Sequence, residues 1–490
     1  MNKRISLVVL LALILTCAVM AGGKSDKGSD GGSGKPSITV YGIKNQEEFP
    51  SGQTENNNRI INYIKEKTGY DIRWIIAPNT NEREALNMVM ASGNPPDMII
   101  LQDKAVFNDY VSQRLLNPVD DLLANTKTIK TIVPEETWRA VESGGKHYSV
   151  PVPQNQFSTY GVIARTDYLA KLGNPRLETI DDYVRLFQLA ADRKIGGNDT
   201  IPYVMWGTEP DLFAYAYGLG VEYDDFGSGK LESTWISANA KAYLQFMAGL
   251  FSRKLIDPEY AVNTTAQIAQ EKMTNGRGLL YTGMWTDMNT LERTITNGDK
   301  AFGVIAPPKN IKGEPTYFNL QAPVRVYIVF PAQSKKTREA IAFLDRCIED
   351  DIRLTISYGW ENEHYVRKTL NGAQVIDQTP AAEDIRYRIY YNMWDTKEDF
   401  INRVNLKGFA SGYFPMSEFT KKANLMLYAP PINSVSEFSP TLKDLKDEYF
   451  MKIITGAWGI DKFDEFVQKW HTNGGDQVLK DINTWYATFK

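Results

Sequence analysis

The sequence predicts an α/β protein of two lobes joined by extended crossings, with a helical C-terminal part. Three observations carry this. Strand and helix patterns alternate from Ser37 onward. Two extended runs, His147 to Val152 and Val324 to Pro331, read as passages from one compact unit to another. The chain has 490 residues, more than one ordinary core holds.

The first crossing follows a turn at Gly144-Gly145 and is stiffened by Pro151 and Pro153. Proline fixes φ and drives the residue before it toward extended geometry, so Val150 and Val152 are held straight. Before it, Ser37 to Ile43, Tyr70 to Ala77 and Asp97 to Leu101 read as strands. Asn56 to Thr68 and Asn81 to Ser92 read as the helices between them. Ile60, Ile61 and Ile64 share one helical face, and Gly69 ends that helix. A β-α-β-α-β order predicts parallel strands with right-handed crossovers and a ligand beyond their carboxyl ends. Tyr41, Gly42, Gln102 and Asp103 fall at those ends, where ligand contact and a structural role both fit.

After the crossing, Thr159 to Thr166, Ile201 to Trp206 and Leu279 to Tyr281 read as strands. Thr179 to Lys194, Ser237 to Lys254 and Thr264 to Thr274 read as helices. The return crossing leads into a helix over Lys335 to Asp350. The expected division is residues 37–152 with about 325–375 in the first lobe, and 153–324 with about 376–490 in the second. Near the C-terminus two aromatic stripes, Phe463-Phe466-Trp470 and Ile482-Tyr486-Phe489, are spaced for packing on helices.

The N-terminus is a leader. Lys3-Arg4 precede an apolar run from Ile5 to Thr16, too short to span a membrane as a mature helix. Leu15-Thr16-Cys17 reads as a lipobox that makes Cys17 the lipidated first residue; Val19-Met20-Ala21 offers ordinary cleavage of a signal peptide over residues 1–21. Residues 22–36 form a Gly/Ser/Lys tether. The expected location is the outer side of the cytoplasmic membrane if lipidated, or periplasmic if cleaved after Ala21. Beyond Cys17 there is only Cys347, so no disulfide framework holds the domain.

A net charge of −4 argues against a nucleic-acid partner, which selects a basic face. The chain carries 26 Tyr, 21 Phe and 10 Trp, which suits flat, amphipathic ligands once the core is filled. Catalytic signatures are missing. His147, His364 and His471 are scattered, and no His-x-x-x-His, Cys-x-x-Cys, Gly-x-Ser-x-Gly or phosphate-loop pattern occurs. The acidic pairs Glu47-Glu48, Asp120-Asp121 and Asp224-Asp225 read as solvated faces or helix caps. No enzyme, cofactor or metal is expected.

Several motifs then point one way. Met90-Ala91-Ser92-Gly93-Asn94-Pro95-Pro96-Asp97 is similar to the helix, Ala-Ser-Gly, Pro-Asp, strand signature of the extracellular solute-binding proteins of ABC transporters, family 1. Gly145 to Pro151, Arg165 to Leu169, Tyr358 to Tyr365 and the ending from Ile454 through Tyr486 resemble the same family in order and spacing. The resemblance spans nearly all of residues 37–490 and implies a periplasmic-binding-protein-like (type II) fold, an oligosaccharide in the cleft and delivery to a permease; a monomer is expected. Larger members carry a calcium loop after the long second-lobe helix. Here Asp192 to Pro202 holds too few side-chain oxygens beside Arg193 and Lys194, so no calcium is expected.

A sugar offers an apolar C–H face and a belt of hydroxyls, which call for aromatic faces and planar polar groups. Trp285 with Asp287, Trp360 with Glu361, and Trp206 are the candidates, each with core packing as its alternative. Gln154 and Asn155 lie just past the first crossing; Arg325 at the second pairs with an acidic sugar or with a hinge carboxylate. Peptide or other non-sugar cargo on the same fold is one alternative, and a secreted glycan-degrading enzyme another.

Overall fold

The computed structural model describes residues 35–42, 47–78, 82–156, 160–207, 211–295, 301–370 and 373–489. The first sheet contains β1 (Ser37–Gly42), β2 (Asp71–Ile76), β3 (Met98–Leu101) and β4 (Val150–Pro153). The second contains β5 (Tyr160–Arg165), β6 (Ile201–Val204), β7 (Gly278–Met284) and β8 (Phe302–Ile305). The chain then returns to the first sheet as β9 (Val324–Val329).

In the first sheet the order is β2-β1-β3-β9-β4. β1 runs parallel to β2 and β3, as the alternating pattern requires, and β9 runs antiparallel to β3 and β4. Proline cannot donate to a neighbouring strand, so Pro151 and Pro153 confine β4 to an edge, and an edge is where it lies. Before it, Gly144 and Gly145, at φ 59° and 75°, join Glu142–Ser143 to Lys146–His147 as a two-residue hairpin. His147 is spent there, with Nδ1 2.7 Å from Asp120.

One face of this sheet packs Ile38, Val40, Ile72 and Val326 against Ile60, Ile61 and Ile64 of the helix Arg59–Thr68. That helix is capped at its start by Asn58, which accepts from the Ile61 N–H, and closed by left-handed Gly69. The helix Thr337–Cys347 adds Ile341, Phe343 and Leu344 to the same core, and Cys347 is buried there. The opposite face gathers Ile99, Leu101, Phe107, Tyr110 and Tyr327.

The second sheet has the order β8-β5-β7-β6, with β5 antiparallel to β7 and β8. β7 is longer than the sequence indicates, because Thr282 to Met284 continue its pairing with Tyr160 to Val162 of β5. One face packs the helix Ile180–Asp192 through Tyr183, Leu186 and Phe187, together with both C-terminal aromatic stripes. Trp470, Phe466, Val478 and Ile482 are fully buried in it. The other face carries Trp285, Met288, Phe400 and Met416.

A third passage between the sheets follows the hairpin Tyr365–Leu370 and Ala373–Gln378. Ile385, Tyr387, Tyr391 and Trp394 pack in the first-sheet core. Phe400 and Val404, one helix later, pack in the second. Packing on the first lobe therefore extends to about residue 394, past the 375 expected from the sequence.

Candidate functional site

β1 and β3 end at Gly42 and Leu101, β4 leaves the first sheet at Pro153, and β9 enters it at Val324. The antiparallel register puts these four points at one end of the sheet. The second sheet offers the start of β5 and the ends of β6, β7 and β8 at one end likewise.

Hydrogen bonds tie the three crossings to one another. The Gln154 N–H donates to the Pro323 carbonyl at 2.9 Å, joining first and second. The Asn155 side-chain amide donates to the Asp395 carbonyl at 2.8 Å, joining first and third. Beside them lies a cavity of about 750 Å³, lined from the first lobe by Glu136 and Asp350 and from the second by Asn424, with Gln154, Asn155 and Asp395 at its crossings. Its size is that of a small-molecule or glycan site.

The charges here are unevenly matched. Arg403 takes the Asp395 carboxylate through both terminal nitrogens, Nη1 at 2.8 Å. Arg325 sits in β9 where the pairing with β4 slips between Val324 and Val326, an irregularity that redirects a side chain. Its Nε and Nη2 are buried and find no hydrogen-bond partner among the described residues. Burial pulls its pKa down, against the attraction of Asp395. Two guanidinium groups thus share one carboxylate. Lys104 makes a further link: its ammonium, at the start of the first-lobe helix Lys104–Ser112, donates to the Leu427 carbonyl at 2.6 Å. Desolvation lowers its pKa to about 8.

The residues singled out from sequence divide under this geometry. Gln154, Asn155 and Arg325 meet at the crossings, although Asn155 spends its amide N–H holding Asp395. Gln102 and Asp103 are exposed at the end of β3, and Asp103 caps the following helix by accepting from Ala105 and Val106. Trp206 keeps a half-buried ring at the end of β6, its indole N–H on the Thr282 carbonyl at 3.3 Å.

Five expectations need correction. Tyr41 is 2% exposed in the core, because its side chain falls on the packed face of β1. Trp285 is 6% exposed, boxed edge-on by Phe400, Phe409 and Tyr413, and has no ring face left for a sugar. Asp287 is buried beneath it, accepting from the Tyr281 hydroxyl and the Met284 N–H, each at 2.9 Å. Burial raises its pKa. Trp360 lies under the Arg59 guanidinium at 3.8 Å and against Tyr63, a first-lobe surface contact, while Glu361 is exposed and pairs with Arg367. Cys17 lies outside the described residues.

Lys104, Asp395 and Arg403 were missed. Lys104 carries a signal in the sequence, a cation in the first turn of a helix, where the dipole disfavours it. Asp395 and Arg403 carry none, because the third crossing has neither the prolines nor the turn residues that mark the first.

Residues 51–353 match the family model described as bacterial extracellular solute-binding protein. The chain belongs to this family. Among curated relatives of this solute-binding protein, the polygalacturonan/rhamnogalacturonan-binding protein YtcQ of Bacillus subtilis is 23% identical, covering 97% of each chain. Lipoprotein LipO of the same organism is 21% identical over 98% of each. Among solved structures, a solute-binding protein described as HMO-binding and ABC-transporter-associated, from Bifidobacterium longum infantis, superposes with a TM-score of 0.73 at 13% identity, covering 93% of this chain and 99% of that one. The likeness establishes the two-lobe fold.

In this solute-binding protein the loop after the helix Ile180–Asp192 is held by its own side chains. Lys194 donates to Asn198 Oδ1 at 3.0 Å, and Thr200 accepts from the Gly196 N–H at 3.0 Å. Among the described residues no cluster of three or more His, Cys, Asp or Glu stands ready for a metal, and no helix is long and apolar enough to cross a membrane.

Proposed function

We propose that this solute-binding protein captures an oligosaccharide between its lobes and delivers it to the permease of an ABC transporter. The observation that carries this is the interlobe cavity of about 750 Å³, bordered by residues of all three crossings. A ligand there touches both lobes at once, so its binding energy favours one lobe arrangement, and a permease reads that arrangement. The named ligands of the relatives, polygalacturonan and rhamnogalacturonan for YtcQ and an HMO for the Bifidobacterium protein, support a glycan cargo. Arg325, two residues past Pro323 of the cavity wall, has buried nitrogens without a partner among the described residues, which makes glycans bearing carboxylates the first to try. Anchoring through Cys17 by lipid is part of the same reading, with LipO as the supporting relative.

The test is thermal unfolding of the protein with neutral and uronate oligosaccharides, and with peptides and calcium as controls. A ligand at 100 times its Kd adds about 2.7 kcal/mol of stability, a shift that a melting curve resolves. A shift with glycans alone supports the reading. A shift with peptides alone transfers the cargo to that class, and release of shorter products from a recovered glycan points to an enzyme instead.

A further inference from the structure

A second cavity, of about 620 Å³, is lined by residues of the second lobe. Its walls combine the two chemistries that sugars require. Phe226 and Tyr317 supply aromatic surface and Asn239 a planar amide, while the Asn310 amide is bonded to Lys312 and Glu314 of its own loop and the Asp224 carboxylate to Lys422. Thr316 also faces it, 3% exposed, with a hydroxyl that has no partner among the described residues. A buried hydroxyl left unpaired is costly, and one on a cavity wall awaits a hydrogen-bonding ligand or water.

Phe226 is the telling residue. It is 40% exposed, and its φ is +46°, a left-handed conformation that a bulky side chain resists. The loop enforces that conformation. Asp225 accepts from the Gly227 N–H at 3.0 Å and is itself held by the Tyr486 hydroxyl at 2.7 Å. Asp224 pairs with Lys422 and accepts from the Phe226 N–H at 3.4 Å. Strain kept by surrounding contacts while part of the ring stays in solvent is a feature found at binding surfaces. The acidic pair Asp224-Asp225 thus serves as the clamp of a presented aromatic ring.

The linings of the two cavities meet along the chain. Lys422 lines this one, and the next residues, Ala423 and Asn424, line the interlobe cavity. We propose that the second cavity is a glycan subsite, occupied by sugar units of an oligosaccharide that runs on from the interlobe cavity, with Phe226 as its stacking face. This rests on the capture reading, and it makes the protein selective for long chains over short ones.

The test uses size-graded oligogalacturonides and size-graded neutral cello-oligosaccharides, from disaccharide to octasaccharide, titrated by calorimetry. In whichever series binds, affinity is expected to rise in a second step once the chain outgrows the interlobe cavity. Phe226→Gly is expected to lower the affinity of the long members about tenfold and leave the short ones unchanged. Glycine also suits the left-handed φ, which offsets its greater unfolded-state entropy, so the same variant is expected to melt within a few degrees of the parent. That separates a lost stacking face from a damaged fold. Tyr317→Ala provides an independent variant of the same wall. Equal affinity of Phe226→Gly and parent for every chain length overturns the subsite, as does an equal loss for short and long chains. Affinity that levels off with the short members overturns the subsite and leaves the capture reading standing. Absence of binding in both series overturns the two together.

Discussion

The cage around Trp285 and the crossing region around Arg325 are built on opposite terms. Trp285 is enclosed by three aromatic edges, and the carboxylate beneath it, Asp287, has two donors. Arg325 is enclosed too, yet two of its nitrogens have no partner among the described residues, and Asp395, the carboxylate that attracts it, is held by Arg403. Lys104 gives up hydration to reach a carbonyl of the other lobe, and Phe226 holds a strained backbone in solvent. In the cage the carboxylate is satisfied and the aromatic edges pack closely, although the Trp285 indole N–H has no hydrogen-bond partner among the described residues. Around the crossings and the second cavity, costs are left standing, which is where a ligand or a lobe movement has something to settle.

The largest expected effect tests the cage. Trp285→Ala removes a buried indole and is expected to cost roughly 3–5 kcal/mol in urea unfolding. A loss below about 1 kcal/mol, joined to a loss of glycan binding, would return Trp285 to the binding surface and break the comparison.

Lys104 comes next, through pH. Its folded pKa of about 8 lies below the ordinary lysine value of 10.5, so between those values the unfolded chain holds a proton that the folded chain has released. Stability is therefore expected to climb as pH rises from about 8 to 10.5, by roughly 2 kcal/mol after allowance for its partial exposure. Melting at fixed ionic strength across that range, with Lys104→Met as reference, checks it: the climb should vanish in the variant.

The smallest effect sharpens the contrast at Arg325. Arg325→Met removes an under-paired buried guanidinium and is expected to raise stability by about 1 kcal/mol while weakening uronate oligosaccharides more than neutral ones. Destabilisation, with equal loss for both ligand types, would make Arg325 a structural tie like Arg403.

Much of the frame was legible in the sequence. The three parallel strands, the helix capped by Asn58 and ended by Gly69, the edge position of β4 and the packed C-terminal stripes follow from local periodicity, caps and proline chemistry. The site was legible only in part. Gln154, Asn155 and Arg325 could be placed at the crossings because prolines mark those passages. Trp285 and Trp360 misled because a tryptophan at a strand or helix end reads the same whether or not something distant covers it.

By itself the sequence determined two α/β lobes, the two proline-marked crossings and the absence of familiar catalytic motifs, because these depend on residues close together in the chain. Tertiary structure alone decided that residues near 400–413 would bury Trp285, that Arg403 would claim Asp395 and leave Arg325 short of a partner, and that Asp224 and Asp225 would hold Phe226 out to solvent. Exposure and charge balance are set by what arrives from far along the chain, and no local pattern records it.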